Sequence, residues 1–178
     1  MDGTRRVRAI VLAMAAGLLV TSADAQEIPR SQRASISQSV GHTEITIRYR
    51  RPVARGRTLF GDVVAWGRSW TPGADSATTM RFSTAVRVNG ESLPAGTYSI
   101  WMVPDSTAAW TVIFSRAQPV FHTPYPGEDY DQLRLRVVPR RSEHMETLAY
   151  YFPAVDGTSA TLVMHWGTTV VPIAITAP

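Results

Sequence analysis

The sequence predicts an all-β protein, a single-domain antiparallel β-sandwich of immunoglobulin-like or jelly-roll-like type with about ten strands and one long ordered loop carrying a short helical turn. Three observations predict it. Apolar and polar residues alternate with period two in run after run, as where Ile45, Ile47 and Tyr49 interleave with Thr46, Arg48 and Arg50. Turn residues such as Gly41-His42, Asn89-Gly90 and Asp156-Gly157 punctuate the runs, at strand spacings of roughly 8 to 12 residues. Two runs, 97–103 (TYSIWMV) and 110–115 (WTVIFS), are apolar on both faces, as central strands covered from both sides would be.

Residues 1–25 read as a signal peptide rather than as part of the fold. Arg5, Arg6 and Arg8 precede an apolar run over 9–20, and Ala23-Asp24-Ala25 has the small-x-small form of a cleavage site. The run is short of the roughly 20 apolar residues that span a bilayer, so no stable membrane anchor is expected after cleavage. Export to the periplasm or beyond the cell follows. The mature chain would hold 153 of the 178 residues, the size of one domain.

With no cysteine in the chain, disulfides, thiolate metal sites and cysteine nucleophiles are excluded, and packing alone stabilises an exported fold. All 18 basic residues are arginine. Losing the leader removes three arginines and two aspartates, which takes the formal charge from +4 to +3. That mild excess suits an anionic partner and equally an ordinary surface; nucleic acid is not expected for an exported protein.

Residues 26–33 form a polar, proline-containing tail, and the sandwich domain covers 34–178. Ala34, Ile36, Gln38 and Val40 alternate with serines to make the first strand; residues 43–50 make the second. Arg48 and Arg50 lie on the face opposite Ile47 and Tyr49, and solvation is their default role. Arg51-Pro52 ends that strand. Residues 78–83, 86–88, 91–93, 97–103, 110–115, 133–137, 147–152, 159–166 and 170–176 continue the series, with Asn89-Gly90 suited to a two-residue hairpin turn and Gly167 read as a turn marker. The proline- and aromatic-rich segment 116–130 packs over an end of the sheets.

The connection between residues 52 and 77 is too long for an ordinary loop. Leu59, Phe60, Val63, Val64 and Trp66 recur at short-helix spacing, which predicts a helical turn over 58–65. The loop gathers Arg51, Arg55, Arg57 and Arg68 with Phe60, Trp66, Trp70, Asp62 and Asp75. Guanidinium forks match carboxylate, phosphate or sulfate, and aromatic faces accept sugars or cations. Arg51, Arg55, Arg57, Trp70 and Asp75 are therefore the candidate ligand-binding residues. The plainer reading has Arg51, Arg55 and Arg57 paired with Asp62 and Asp75 to pin the loop, with Trp66 and Trp70 filling the core and the loop covering the doubly apolar strands.

Motifs of whole enzyme classes are missing: there is no G-x-S-x-G, no P-loop, no strand-linked G-x-G-x-x-G and no H-E-x-x-H. No metal site and no cofactor are expected. His42 and His165 read as surface or rim residues and His144 as exposed. His122, beside Tyr125 in the aromatic segment, is the one histidine placed near a pocket wall.

Four linked motifs carry a resemblance: Tyr49-x-Arg51-Pro52; Arg55-Gly56-Arg57-x-Leu59-Phe60-Gly61; Trp66-Gly67-x-x-Trp70-x-x-Gly73-Ala74-Asp75-x-Ala77-Thr78; and Leu93-Pro94-Ala95-Gly96-Thr97-Tyr98-Ser99. Together they resemble the signature of an exported bacterial family catalogued as domain of unknown function 2911. The resemblance spans residues 34–175 and implies a single compact β-rich domain and export, with no established activity. It departs at Asp75, where the family usually has asparagine, and at Thr71, where it often has arginine.

The leading functional reading is a non-enzymatic binding domain for an anionic small molecule or a glycan at the Arg/Trp-rich loop. The alternatives are a small-substrate hydrolase or isomerase using Asp62 or Asp75 as base, and a structural or protein-interaction sandwich. Adjacent arginines would depress such a carboxylate and so count against the enzyme.

Overall fold

Side-chain alternation decides which face of each strand turns inward, and the tight turn at Gly41-His42 sets the register of the first hairpin. The computed structural model describes residues 28–178; the expected leader at 1–25 lies outside the described residues. Strands β1 (Gln32–Val40) and β2 (Thr43–Arg51) pair antiparallel from Val40 opposite Thr43 to Gln32 opposite Arg51. Next come β3 (Thr79–Phe82), β4 (Val86–Val88), β5 (Glu91–Leu93), β6 (Gly96–Val103) and β7 (Trp110–Ser115). The last three are β8 (Asp131–Val137), β9 (Arg140–Asp156) and β10 (Ser159–Thr176). A six-stranded sheet runs β1-β2-β3-β6-β7-β8 and a four-stranded sheet β5-β4-β10-β9, both antiparallel. The fold is an all-β sandwich of ten strands.

The inward residues of both sheets form one core. Ile45, Ile47, Met80, Phe82, Ile100, Met102, Val112 and Phe114 meet Leu148, Tyr150, Leu162, Met164, Trp166 and Ile173, all buried. Each such side chain contributes about 1.5–3 kcal/mol when fully buried, the stabilisation a chain without disulfides needs.

Several local expectations change. Residues 159–166 and 170–176 are one continuous strand, β10, and Gly167 is an irregularity within it rather than a turn. It sits at φ 58, where a Cβ would lie 2.7 Å from Leu59 Cδ1, so the bulge makes room for the long loop. His165 is buried instead of at the rim. Its Nε2 lies 3.0 Å from the Glu143 carbonyl and 3.1 Å from that of Gly167, and its Nδ1 lies 3.2 Å from Tyr151 Oη. Two carbonyls at Nε2 can only accept, so the proton sits there. The helical turn of the described residues is a 3-10 turn at Glu128–Tyr130. Residues 58–65 make a wide turn, with the Val63 and Val64 amides donating to the Thr58 and Leu59 carbonyls at 3.3 and 2.8 Å.

The long loop closes the sandwich from its side. After Arg51 the chain leaves the six-stranded sheet and runs beside the edge strand β9: Leu148 N donates to Pro52 O (3.0 Å) and Ala54 N to Glu146 O (2.8 Å), with Val53 bridging Thr147. That covers the edge of the smaller sheet. Phe60 then packs against Trp110 with ring centroids 4.8 Å apart, and Trp70 stacks on Trp166 at 5.9 Å. Phe60 and Trp70 pack partly buried against the core, whereas Trp66, 42% exposed, caps the aromatic cluster and does not fill it.

The outer face of β6 and β7 is covered mainly by the second irregular segment, with the arginine loop contributing only its last residue, Ala77. Trp101, Ile113 and Ala77 form a small buried cluster under Val120 and Tyr125. Burial pushes the Tyr125 phenol above its ordinary range, and its hydrogen bond to Asp131 pushes it further. Asp131 also pairs with Arg134 at 2.8 Å. The same outer face is left open over β1, β2 and the start of β3, and that opening is the candidate site.

Candidate ligand-binding site

Because β1 and β2 alternate, Arg33 and Ser35 on β1 and Arg48 and Arg50 on β2 all project from the outer face. The register places Arg33 directly opposite Arg50 and Ser35 opposite Arg48; Thr79 of β3 stands opposite Arg48 on the other side. Arg33 and Arg48 are thus diagonal neighbours, about 7–8 Å apart at the backbone. Like charges directly opposite each other on a sheet are destabilising, so this triplet runs against what strand pairing favours.

A cleft of about 580 Å³ lies over these residues. Its floor is Arg33, Ser35, Arg48, Arg50 and Thr79; its wall is Ser76-Ala77 together with Pro119-Val120. The two wall segments are joined: Ala77 N donates to Val120 O at 3.0 Å, His122 N donates to Asp75 O at 2.8 Å, and Ser76 bridges Phe121. The structure therefore brings His122 beside Asp75 through the backbone.

Arg50 is the most enclosed of the three arginines, with 16% of its side chain exposed. Its Nη1 lies 3.2 Å from Asp75 Oδ2 and 3.4 Å from the Ser31 carbonyl, while its Nε is buried with no hydrogen-bond partner among the described residues. A buried guanidinium N–H without an acceptor is costly, and native structures rarely leave one. Asp75, 53% exposed, adopts φ 61. Asparagine and aspartate are the residues that best tolerate this left-handed conformation, which accounts for the choice at this position.

The five residues predicted from the loop do not converge. Arg51, of inward parity, donates its Nε to the Leu148 carbonyl at 3.0 Å. Arg57 donates Nε to Ala54 O at 2.9 Å and Nη2 to Val53 O at 2.7 Å, tying its own turn. Arg55 stands at φ 51 with its backbone N–H on Glu146 Oε1 at 2.6 Å and its Nη2 3.4 Å from Arg30 O. The Glu146 carboxyl is held below its usual range by His144 first and by that N–H second. Trp70 is half-buried in the aromatic cluster. The loop is pinned, but by backbone carbonyls instead of Asp62 and Asp75. Asp62 is exposed and lines no part of the cleft. Only Asp75 stands at the site, and its partner is Arg50, one of the two arginines assigned to solvent by default.

The missed residues were Arg33, Arg48 and Arg50. A signal for two of them is present: a two-residue turn after Val40 fixes Arg33 opposite Arg50 by counting. The wall could not be counted, since it depends on Ser76-Ala77 and Pro119-Val120, which are distant in the chain from both strands.

The model of a protein family described as "Protein of unknown function (DUF2911)" matches residues 31–175. No curated protein and no solved structure matches the chain.

Proposed function

Since the chain belongs to the family described as Protein of unknown function (DUF2911), whose description names no activity, we propose a function from the cleft: an exported, non-enzymatic binding domain for a ligand bearing an anionic group. Arg33, Arg48 and Arg50 are its ligand-holding residues. The observation that carries this reading is the concentration of three guanidiniums on one cross-strand pair and its diagonal, facing a cleft, with Asp75, on Arg50, the one carboxylate paired with them among the described residues. Hydrolase or isomerase chemistry at Asp62 or Asp75 draws no comparable support, because Asp62 is not among the residues that line the cleft and Asp75 is engaged by Arg50.

Calorimetric titration of the mature protein with small carboxylates and phosphate tests the reading. Arg48→Gln and Arg50→Gln are each expected to weaken binding about tenfold to hundredfold, the usual worth of one hydrogen bond to a charged group, and added salt to weaken it further. Asp75→Asn keeps a residue that tolerates φ 61 and removes the competing charge. Affinity should then rise about fivefold, the effect of one unit charge at about 4 Å in water. Unchanged affinity in both arginine variants would falsify the proposal.

A further inference from the structure

Resting on that reading, we infer that the ligand is a small amphipathic acid, an anionic head on an apolar, non-sugar body. Size comes first. Liquid water occupies about 30 Å³ per molecule and a bare oxyanion roughly two to three times that, so neither fills a cleft of about 580 Å³. That volume lies in the range of clefts that take whole organic molecules, about 300–1,000 Å³.

Chemistry decides the nature of the body. The wall facing the arginines is Ala77, Pro119 and Val120, and the arginine stems add further methylenes to the floor. A sugar needs acceptors as well as donors for its hydroxyls, and arginine accepts nothing. Apart from the small hydroxyls of Ser35, Ser76 and Thr79, the described residues offer the cleft one strong acceptor side chain, Asp75, and Arg50 already engages it. A sugar's flat faces also stack on aromatic rings, and the one aromatic residue at the lining turns its ring away: Tyr49 is buried on the inner face, edge-on to Tyr150 at 4.8 Å. Trp66 and Trp70, the rings that suggested a glycan in the sequence, belong to the aromatic cluster over Trp110 and Trp166. A saccharide would leave hydroxyl donors unpaired against Val120 and Pro119, each at a cost; an alkyl or aryl body loses nothing there and leaves water.

The test is a titration series of the mature protein with butanoate, hexanoate, octanoate and decanoate below their micelle concentrations, beside glucuronate and inorganic phosphate. Affinity should rise by up to about fourfold per added methylene, the transfer free energy of one CH₂ expressed as a ratio, until the cleft is full. Octanoate should exceed glucuronate by at least tenfold. Arg48→Gln and Arg50→Gln should each weaken octanoate tenfold or more. Val120→Asn should flatten the chain-length series and spare butanoate; Val120→Thr, of the same shape, serves as the variant that keeps the wall folded and should flatten it partly. Equal affinity for butanoate and octanoate, both lost in Arg50→Gln, overturns the amphipathic body while leaving anion binding intact. Glucuronate binding tighter than octanoate overturns it in favour of an acidic sugar. Chain-length dependence that survives both arginine substitutions puts the acids elsewhere and overturns it too. No binding of any of the anions to the wild type overturns the functional reading itself.

Discussion

Replacing Gly167 with alanine is expected to lower the unfolding free energy by about 2–3 kcal/mol. The position sits at φ 58, and a Cβ there would meet Leu59 Cδ1 at 2.7 Å. Left-handed backbone costs an L-residue about 1–2 kcal/mol, and forcing the Leu59 side chain aside adds about 1 kcal/mol or more of overpacking. For a domain of this size the midpoint should fall by about 5–10 °C in calorimetry. Leu59→Ala alone opens a cavity in the core, with a cost of about 2–5 kcal/mol. Combined with Gly167→Ala it removes the clash, so the double variant should be more stable than the sum of the singles predicts, by about 1 kcal/mol. Strict additivity would mean that Leu59 does not seat in the bulge. The loop's attachment to β10 is thereby measurable apart from any ligand.

Thr71→Val is the second substitution with a large expected effect. Thr71 is fully buried; its hydroxyl donates to the Ile100 carbonyl at 2.8 Å and accepts from Thr78 N at 3.1 Å. Thr78 Oγ1 and Tyr150 Oη both donate to the Pro72 carbonyl, at 2.8 and 3.1 Å. This network holds the ends of the 71–78 turn, and the turn carries Asp75, Ser76 and Ala77 to the cleft. Valine keeps the shape and strands a buried amide and a buried carbonyl, at a cost of about 2–3 kcal/mol. Hydrogen exchange should quicken at the Thr78 and Ala77 amides before it does in β6. Exchange that quickens uniformly would place the effect in global stability and detach Thr71 from the cleft wall.

Much of the fold is legible in the chain because strand alternation and turn chemistry are local. Asn89 at φ 49 and Gly90 at φ 90 make the hairpin between β4 and β5 that the dipeptide predicts. Asn89 Oδ1 also accepts from Ala174 N at 2.8 Å, a contact across the smaller sheet that no local rule supplies. Gly167 misled for a related reason: positive φ marks a turn and a bulge alike, and only the packing of Leu59 tells them apart.

The site was less legible because it is built across elements. Clustering in sequence drew attention to Arg51, Arg55 and Arg57, yet those side chains satisfy carbonyls of their own loop and of β9. Parity correctly put Arg48 and Arg50 on the outer face; it could not show that Pro119 and Val120 would arch over that face and turn it from surface into cleft. An outward arginine is solvated only where nothing is built above it.

The most direct measurement follows the arginine Nε–H cross-peaks by NMR, assigned with single Arg→Gln variants, as octanoate is titrated into the mature protein. The signals of Arg33, Arg48 and Arg50 are predicted to move together with one dissociation constant while those of Arg51, Arg55 and Arg57 stay in place. Movement confined to Arg51, Arg55 and Arg57, with the Arg50 signal unmoved at saturation, would contradict the assignment of the site to the cleft.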